Sequence, residues 1–280
     1  GSNLEVLDIE SGNRKILYTD SGSIQAPNWT IDGKSFIFNG SDGIIYNYFI
    51  ERGEKKIVNT GHLVKNNNDH VLSFDGKLLG LSDGTDAGEG QSLIYTVPTE
   101  GGTPTLITQV GPSYLHGFSP DAKEMIFTGK RGDSDDYEIY SINIETKVET
   151  QLTNSPGLDD GSEYSPDGKY IYFNSVRSGK MQIWRMQPDG SNPEQITNDE
   201  LNNWFPHVSP DGKWMVYITY GNDVAPGDHP FYKHVSIRLM NLETKETKVL
   251  VHFYGGQGSM NTPNWSPDGK KIAFISNTGF

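Results

Sequence analysis

Cysteine is missing from the 280 residues. That removes disulfide cross-links and thiolate chemistry from consideration and leaves the cellular compartment open. Basic charge is scarce: 23 Lys and Arg stand against 36 Asp and Glu, a formal net charge of −13. Nucleic acid is therefore not an expected partner, because phosphate binding needs a basic surface. A cationic, glycan or protein partner is compatible with that balance, which also serves solubility. No apolar run approaches the roughly 18 residues of a membrane span, and helical periodicity of useful length is absent. No signal peptide is present, and Gly1-Ser2 reads as a cloning scar, which leaves a removed leader open.

Glycine and proline, by contrast, are plentiful, at 32 and 15, and they sit in a recurring turn. Asn264-Trp265-Ser266-Pro267-Asp268-Gly269-Lys270 has earlier relatives around Asp32, Asp75, Asp121, Asp167 and Asp211, separated by steps of 43, 46, 46, 44 and 57 residues. The chain beyond Asp268, joined to the chain before Asp32, makes a sixth step of 44. A near-constant period that closes on itself is the mark of a circular repeat. Each copy reads as a hairpin: proline sets φ, aspartate bonds its own backbone and glycine accepts positive φ. The six aspartates are thus turn formers before they are catalytic candidates.

After each hairpin come a third strand signal, as in Glu138-Ile139-Tyr140 and Gln182-Ile183-Trp184, and a fourth, as in Gln151-Leu152-Thr153 and Gln195-Ile196-Thr197. Four strands per repeat is the content of a propeller blade. The N-terminus supplies third and fourth strands without a first and second, and the C-terminus supplies the converse. The reading is an all-β, six-bladed β-propeller spanning 1–280 as a single domain. Leu4 to Ile9 should pair with Ile272 to Asn277 in one composite blade, leaving no large free edge.

The repeat, with Trp265-Ser266-Pro267-Asp268-Gly269-Lys270 followed by Ile272-Ala273-Phe274-Ile275-Ser276, resembles the TolB-type β-propeller repeat over essentially the whole chain. Departures are Phe74, where the family prefers proline, and Ala122, where it prefers glycine. The segments 203–212, 228–234 and 255–259 are similar to TolB-like proteins of bacterial cell envelopes. The resemblance implies a periplasmic or secreted propeller with an envelope protein or glycan as partner; it implies no reaction, since such folds host several functions. TolB carries an additional N-terminal domain without a counterpart in these residues, so a Tol–Pal role is not expected.

Propellers bind at the channel mouth, on loops that lead into innermost strands and join second to third strands. Counting back from the turn aspartates puts Asn28, Glu163, His207 and Asn264 in one slot, with His70 and His116 one position earlier. Imidazoles converging there suit a divalent metal, with His70, His116 and His207 as ligands, or else cap strand ends by hydrogen bonding. The long step in blade five reflects an insertion, residues 220–234, expected to fold over the mouth. It would bring His229, Tyr232, Lys233 and His234 beside His207, Gln257 and Asn261, a set similar to the His- and Gln-rich metal site of sugar-polymer lyases. Binding of a protein or glycan is the leading function, and a metal-dependent carbohydrate-active enzyme, a lyase or hydrolase, the alternative. Trp204 reads as part of a ligand surface. Gly80-Leu81-Ser82-Asp83-Gly84 matches the serine-hydrolase pattern by letter but lacks its strand-to-helix elbow. Two acidic groups, Asp133 with Asp135 and Asp136, and Asp83 with Asp86 and Glu89, lack calcium-loop spacing and read as solvated turns.

Overall fold

The computed structural model describes residues 1–279, and the described residues form strands and turns with no helix. Blade one contains β3 (Ile24–Trp29), β4 (Ser35–Gly40), β5 (Ile45–Phe49) and β6 (Glu54–Ile57), and blade two contains β7 (Val71–Leu72), β8 (Leu78–Asp83), β9 (Leu93–Pro98) and β10 (Thr105–Leu106). Blade three is β11 (Ser113–Phe118), β12 (Glu124–Gly129), β13 (Glu138–Asn143) and β14 (Glu149–Gln151). Blade four is β15 (Asp159–Tyr164), β16 (Ile171–Ser175), β17 (Gln182–Met186) and β18 (Glu194–Gln195). Blade five has the longest outer strands: β19 (Asn202–Val208), β20 (Trp214–Tyr220), β21 (Lys233–Asn241) and β22 (Thr247–Gly255).

The composite blade is built as the sequence implied. Strand β1 (Ser2–Asp8) lies between β2 (Arg14–Asp20) and β23 (Lys271–Asn277), with Leu4 opposite Ile275 and Leu7 opposite Ile272. Its innermost strand is reduced to one bridge, Trp265 to Ile272. Beside that bridge the Asn264 side chain donates to the Ala273 carbonyl at 2.8 Å, and Ala273 N–H returns to the Asn264 carbonyl at 2.9 Å. Ser2, read from sequence as a scar residue, is an integral part of the sheet: its buried hydroxyl donates to Gly22 O and accepts from Ile24 N–H.

What holds the ring is six separate apolar clusters, one at each junction between blades. Ile37 and Val58 meet Leu79 and Val97 between blades one and two, and Ile94 meets Leu115, Met125 and Phe127 at the next junction. Ile126 and Ile139 meet Ile171 and Phe173, and Tyr172 and Ile183 meet Val208, Met215 and Tyr217. Val216 and Ile218 meet Trp265 and Phe274, and the ring closes where Leu4 and Ile275 meet Ile24, Phe36 and Phe38. Second strands alternate between the two neighbours, so successive residues of β12, Ile126 and Phe127, serve different junctions.

One hydrogen-bonded lock ends every innermost strand. Ser165 Oγ donates to Asp167 Oδ1 at 2.7 Å, that oxygen accepts Lys169 N–H at 3.1 Å, and Tyr170 N–H reaches Ser165 Oγ at 3.0 Å. The other five turns repeat it, with Thr30 replacing serine in blade one. These donors hold all six carboxyls below their ordinary value. The turn glycines take φ between +69° and +73°, and Ala122 is forced to +56° in the same place.

Two outcomes follow for stability. Ala122→Gly should raise the unfolding free energy by up to about 1 kcal/mol, since relief of left-handed strain exceeds the extra chain entropy of glycine; chemical denaturation of both proteins checks it. Deleting residues 1–20 removes β1 and β2 and exposes the β23 edge and the closing cluster. The truncated chain should aggregate on size-exclusion chromatography, and a truncation that melts like the full chain would contradict the closed ring.

Candidate functional site

The channel is open to solvent at two ends of different character. At the turn end a hollow of about 340 Å³ is lined by Trp29, Ile31, Phe74, Pro166, Pro210, Trp265 and Pro267, with Glu163 at its base. At the opposite end, where innermost strands begin, a cavity of about 530 Å³ is walled by Asp69, His116, Asp160 and five amides, with Tyr114, Tyr137, Phe205, His229 and Phe231 among its aromatic groups.

The mouth is built from one repeat position. Seven residues before each turn aspartate stand Gln25, Asn68, Tyr114, Asp160, Trp204 and Asn261, and all but Trp204 line the cavity. Three of the innermost strands bulge one residue after this position. Ala26, Gly161 and Phe205 take φ of +57°, +60° and +53°, each beside a break in register with the second strand. Gly161 has no alternative there, because a Cβ would lie 2.2 Å from Asn174 Oδ1, the atom that accepts Phe205 N–H at 3.0 Å.

Amides close one side of the mouth. Asn68 Nδ2 donates to Gln25 Oε1 at 2.8 Å, and Asn261 Nδ2 donates to Asn68 Oδ1 at 3.2 Å and Gln257 Oε1 at 3.0 Å. The facing side is acidic and aromatic. Asp160 Oδ1 takes His116 Nε2 at 2.8 Å, Thr128 Oγ1 at 2.9 Å and Gly161 N–H at 2.7 Å, while Oδ2 looks toward His229 Nε2 at 3.9 Å. Burial opposes a charge on His116, but Asp160 and Asp69 outweigh burial and hold the imidazole above its ordinary 6.5. Burial likewise opposes ionisation of Asp160, and His116 more than compensates, holding that carboxyl below 3.8. Asp69 is pushed up by burial, which the charge of His116 only partly offsets.

The insertion does fold over the mouth: His229 and Phe231 line the cavity beside Gln257, Asn261 and His116. Its other residues go elsewhere. Tyr232 is half exposed and stacks between Phe231 and Tyr254, Lys233 pairs with Asp223 at 3.1 Å, and His234 borders a separate surface hollow with His252. Trp204 is no ligand surface: it is fully buried under the His229 ring, 4.4 Å between centroids. The insertion therefore covers the one blade whose mouth position is apolar.

The three histidines considered as metal ligands are not brought together, and among the described residues no group of three His, Asp or Glu has metal-holding geometry. His207 has both nitrogens engaged, Nδ1 with Glu163 Oε2 at 2.6 Å and Nε2 with the Met260 carbonyl at 2.7 Å. It ties blade four to the approach of blade six as a strand cap would, and Glu163 faces the turn end rather than the mouth. His70 is buried with Nδ1 on Asn28 Oδ1 at 3.2 Å, and desolvation pushes its pKa down to about 3. The letters of the rejected motifs are structural too. Ser82 Oγ bridges Asp69 O and Leu115 N–H, and Asp83 accepts Lys65 and Thr85 N–H.

A closed six-bladed ring with serine–aspartate turn locks, and with one repeat position turned into the mouth, defines the class of repeat propeller to which this chain should be compared. The TolB beta propeller domain model matches residues 113–227. An uncharacterised protein of Agrobacterium fabrum is 42% identical over 98% of this chain and 92% of its own length. A solved structure from Agrobacterium tumefaciens, assigned provisionally to TolB, superposes with a TM-score of 0.94 at 41% identity, covering 100% of this chain and 99% of that one. The Tol-Pal system protein TolB of Francisella tularensis is 26% identical over 67% of this chain, which spans 41% of that protein's length. The chain belongs to the TolB-like β-propeller family.

The sign of the pH response follows from the His116–Asp160 pair. The raised imidazole contributes fully below 6.5 and loses its contribution as pH rises through the folded value; the depressed carboxylate contributes above 3.8 and loses it as pH falls through its folded value. The pair is at full strength between those limits. Asp160→Ala strands its donors and should cost about 1–3 kcal/mol, with the gap to wild type narrowing as pH rises into the alkaline range. Thermal melts across pH check this, and a constant gap would contradict the assigned charges.

Proposed function

We propose that residues 1–280 act as one domain, a cell-envelope binding module, periplasmic or secreted, that seats a protein or glycan ligand at the channel mouth. The observation that carries this reading is the division of labour along the innermost strands. Side chains seven residues before the turn converge from five blades on one open cavity, whereas Glu163 and His207, four before it, close on each other. Preformed concavities in which aromatic side chains stand beside a few convergent polar groups are what ligand sites look like. The rigid amide chain from Gln25 to Gln257 supports recognition, because groups held by their neighbours lose little freedom on binding. Membership of the TolB-like family supports the envelope location, and among the described residues no helix is long and apolar enough to cross a membrane. The metal-dependent enzyme reading draws less support, since His207 is saturated by protein acceptors and His70 lacks ligand partners.

A photo-crosslinking residue placed at His229 should capture envelope proteins or glycans, and one placed at Ile31, on the turn end, should not. Capture at Ile31 alone would overturn the mouth as the working end.

A further inference from the structure

The mouth has a charge problem that the chain itself does not solve. Asp69 is only 8% exposed, yet its carboxyl borders the cavity. The Asn261 amide, the side-chain donor that eases its charge, also donates to Asn68 and Gln257. Across the cavity Asp160 Oδ2 has no donor nearer than His229 at 3.9 Å. No lysine or arginine lines the cavity; Lys130 lies over the Tyr137 ring, 4.5 Å from its centroid, outside it. Among the described residues two buried carboxyls thus share His116 and the more distant His229 as their cationic partners, and carboxylate oxygens short of donors are costly to bury.

Resting on the mouth as the binding site, we propose that its ligand is a protein partner that inserts a primary ammonium group, a lysine side chain or chain N-terminus, between Asp69 and Asp160. An ammonium brings three donors and a full positive charge to the Asp69 carboxyl and to Asp160 Oδ2. The cavity walls suit the rest of a lysine: Tyr114 and Tyr137, with ring centroids 6.2 Å apart, offer faces to an aliphatic stem and a cation. Exposed Phe231 and Tyr232 extend an aromatic rim beyond the cavity, the composition of a protein interface. The net charge of −13 steers a cationic segment toward the protein. An anionic polymer meets two carboxyls, with no lysine or arginine among the described residues that line the cavity.

The test uses capped Gly-Lys-Gly peptide, the same peptide acetylated on Nζ, and a glucosamine tetramer as probes, with binding measured by calorimetry and amide chemical shifts on the 280-residue chain. The lysine peptide should bind, and acetylation should weaken it at least about tenfold. Asp69→Asn and Asp160→Asn, each confirmed folded by melting, should weaken it similarly, and Asp189→Asn, in the β17–β18 turn outside the cavity, should not. The acetylation comparison needs no variant and stands even if a substitution unfolds the protein. Equal affinity for the acetylated peptide, no response to the lysine peptide at millimolar concentration, or preference for the glucosamine tetramer would each overturn the proposal. Mouth crosslinking at His229 alongside such a result would leave the binding site standing and remove only the lysine or N-terminal ligand.

Discussion

Each sheet of this protein gives both faces away. A blade buries nothing by itself, and its second strand serves one neighbour with even residues and the other with odd ones, as Ile126 and Phe127 do. Stability therefore resides in six thin junctions instead of one core, and every junction requires its two blades to hold a fixed relative twist. The serine–aspartate lock meets that requirement by ending each innermost strand at the same point, which makes distance from the turn equivalent to depth in the channel. Function is then written as a choice of residue at a given depth.

That equivalence explains what could be read from the sequence. The turn aspartates, the period and the composite blade are local or arithmetic signals, and the structure carries them unchanged. The mouth was legible in principle, because Gln25, Asn68, Tyr114, Asp160 and Asn261 share one offset from the turn. It was obscured because histidines draw attention to the offsets four and five, where His207, His70 and Glu163 turn out to satisfy strand ends and blade contacts. The bulges at Ala26, Gly161 and Phe205 separate these depths by changing the direction of the strand between them, and a non-glycine residue with positive φ leaves little trace in sequence. Trp204 was misplaced for a different reason. Its neighbours Asn202 and Asn203 suggest an exposed loop, but both are buried at the start of β19 with their amides bonded to backbone and side chains.

The insertion makes the ring asymmetric where it matters. Five blades present their own side chain at the mouth, and blade five presents a tryptophan that the insertion roofs with His229. The amide arc from blades six, one and two thus faces an acid and aromatic arc from blades three to five. A ligand seated between them meets amides with Asp69 on one side and the Asp160–His116 pair with aromatic rings on the other, so its orientation is constrained before any loop moves.

Closure by the composite blade also orders events in time. Blades one to five form from neighbours in sequence, while β1 and β2 wait for β23 across a separation of 271 residues, as the Ser276 to Glu5 hydrogen bond illustrates. Contacts of such separation form late and slowly. During synthesis the β1 edge is consequently an open template for pairing with another chain. Glu5 sits in the middle of that edge, paired locally with Arg14 of β2, and only in the finished ring does Ser276 also reach its carboxylate. A charge that is costly to bury in the wrong company serves the nascent chain as a guard against self-association, and the same residue becomes part of the seam once the ring is shut.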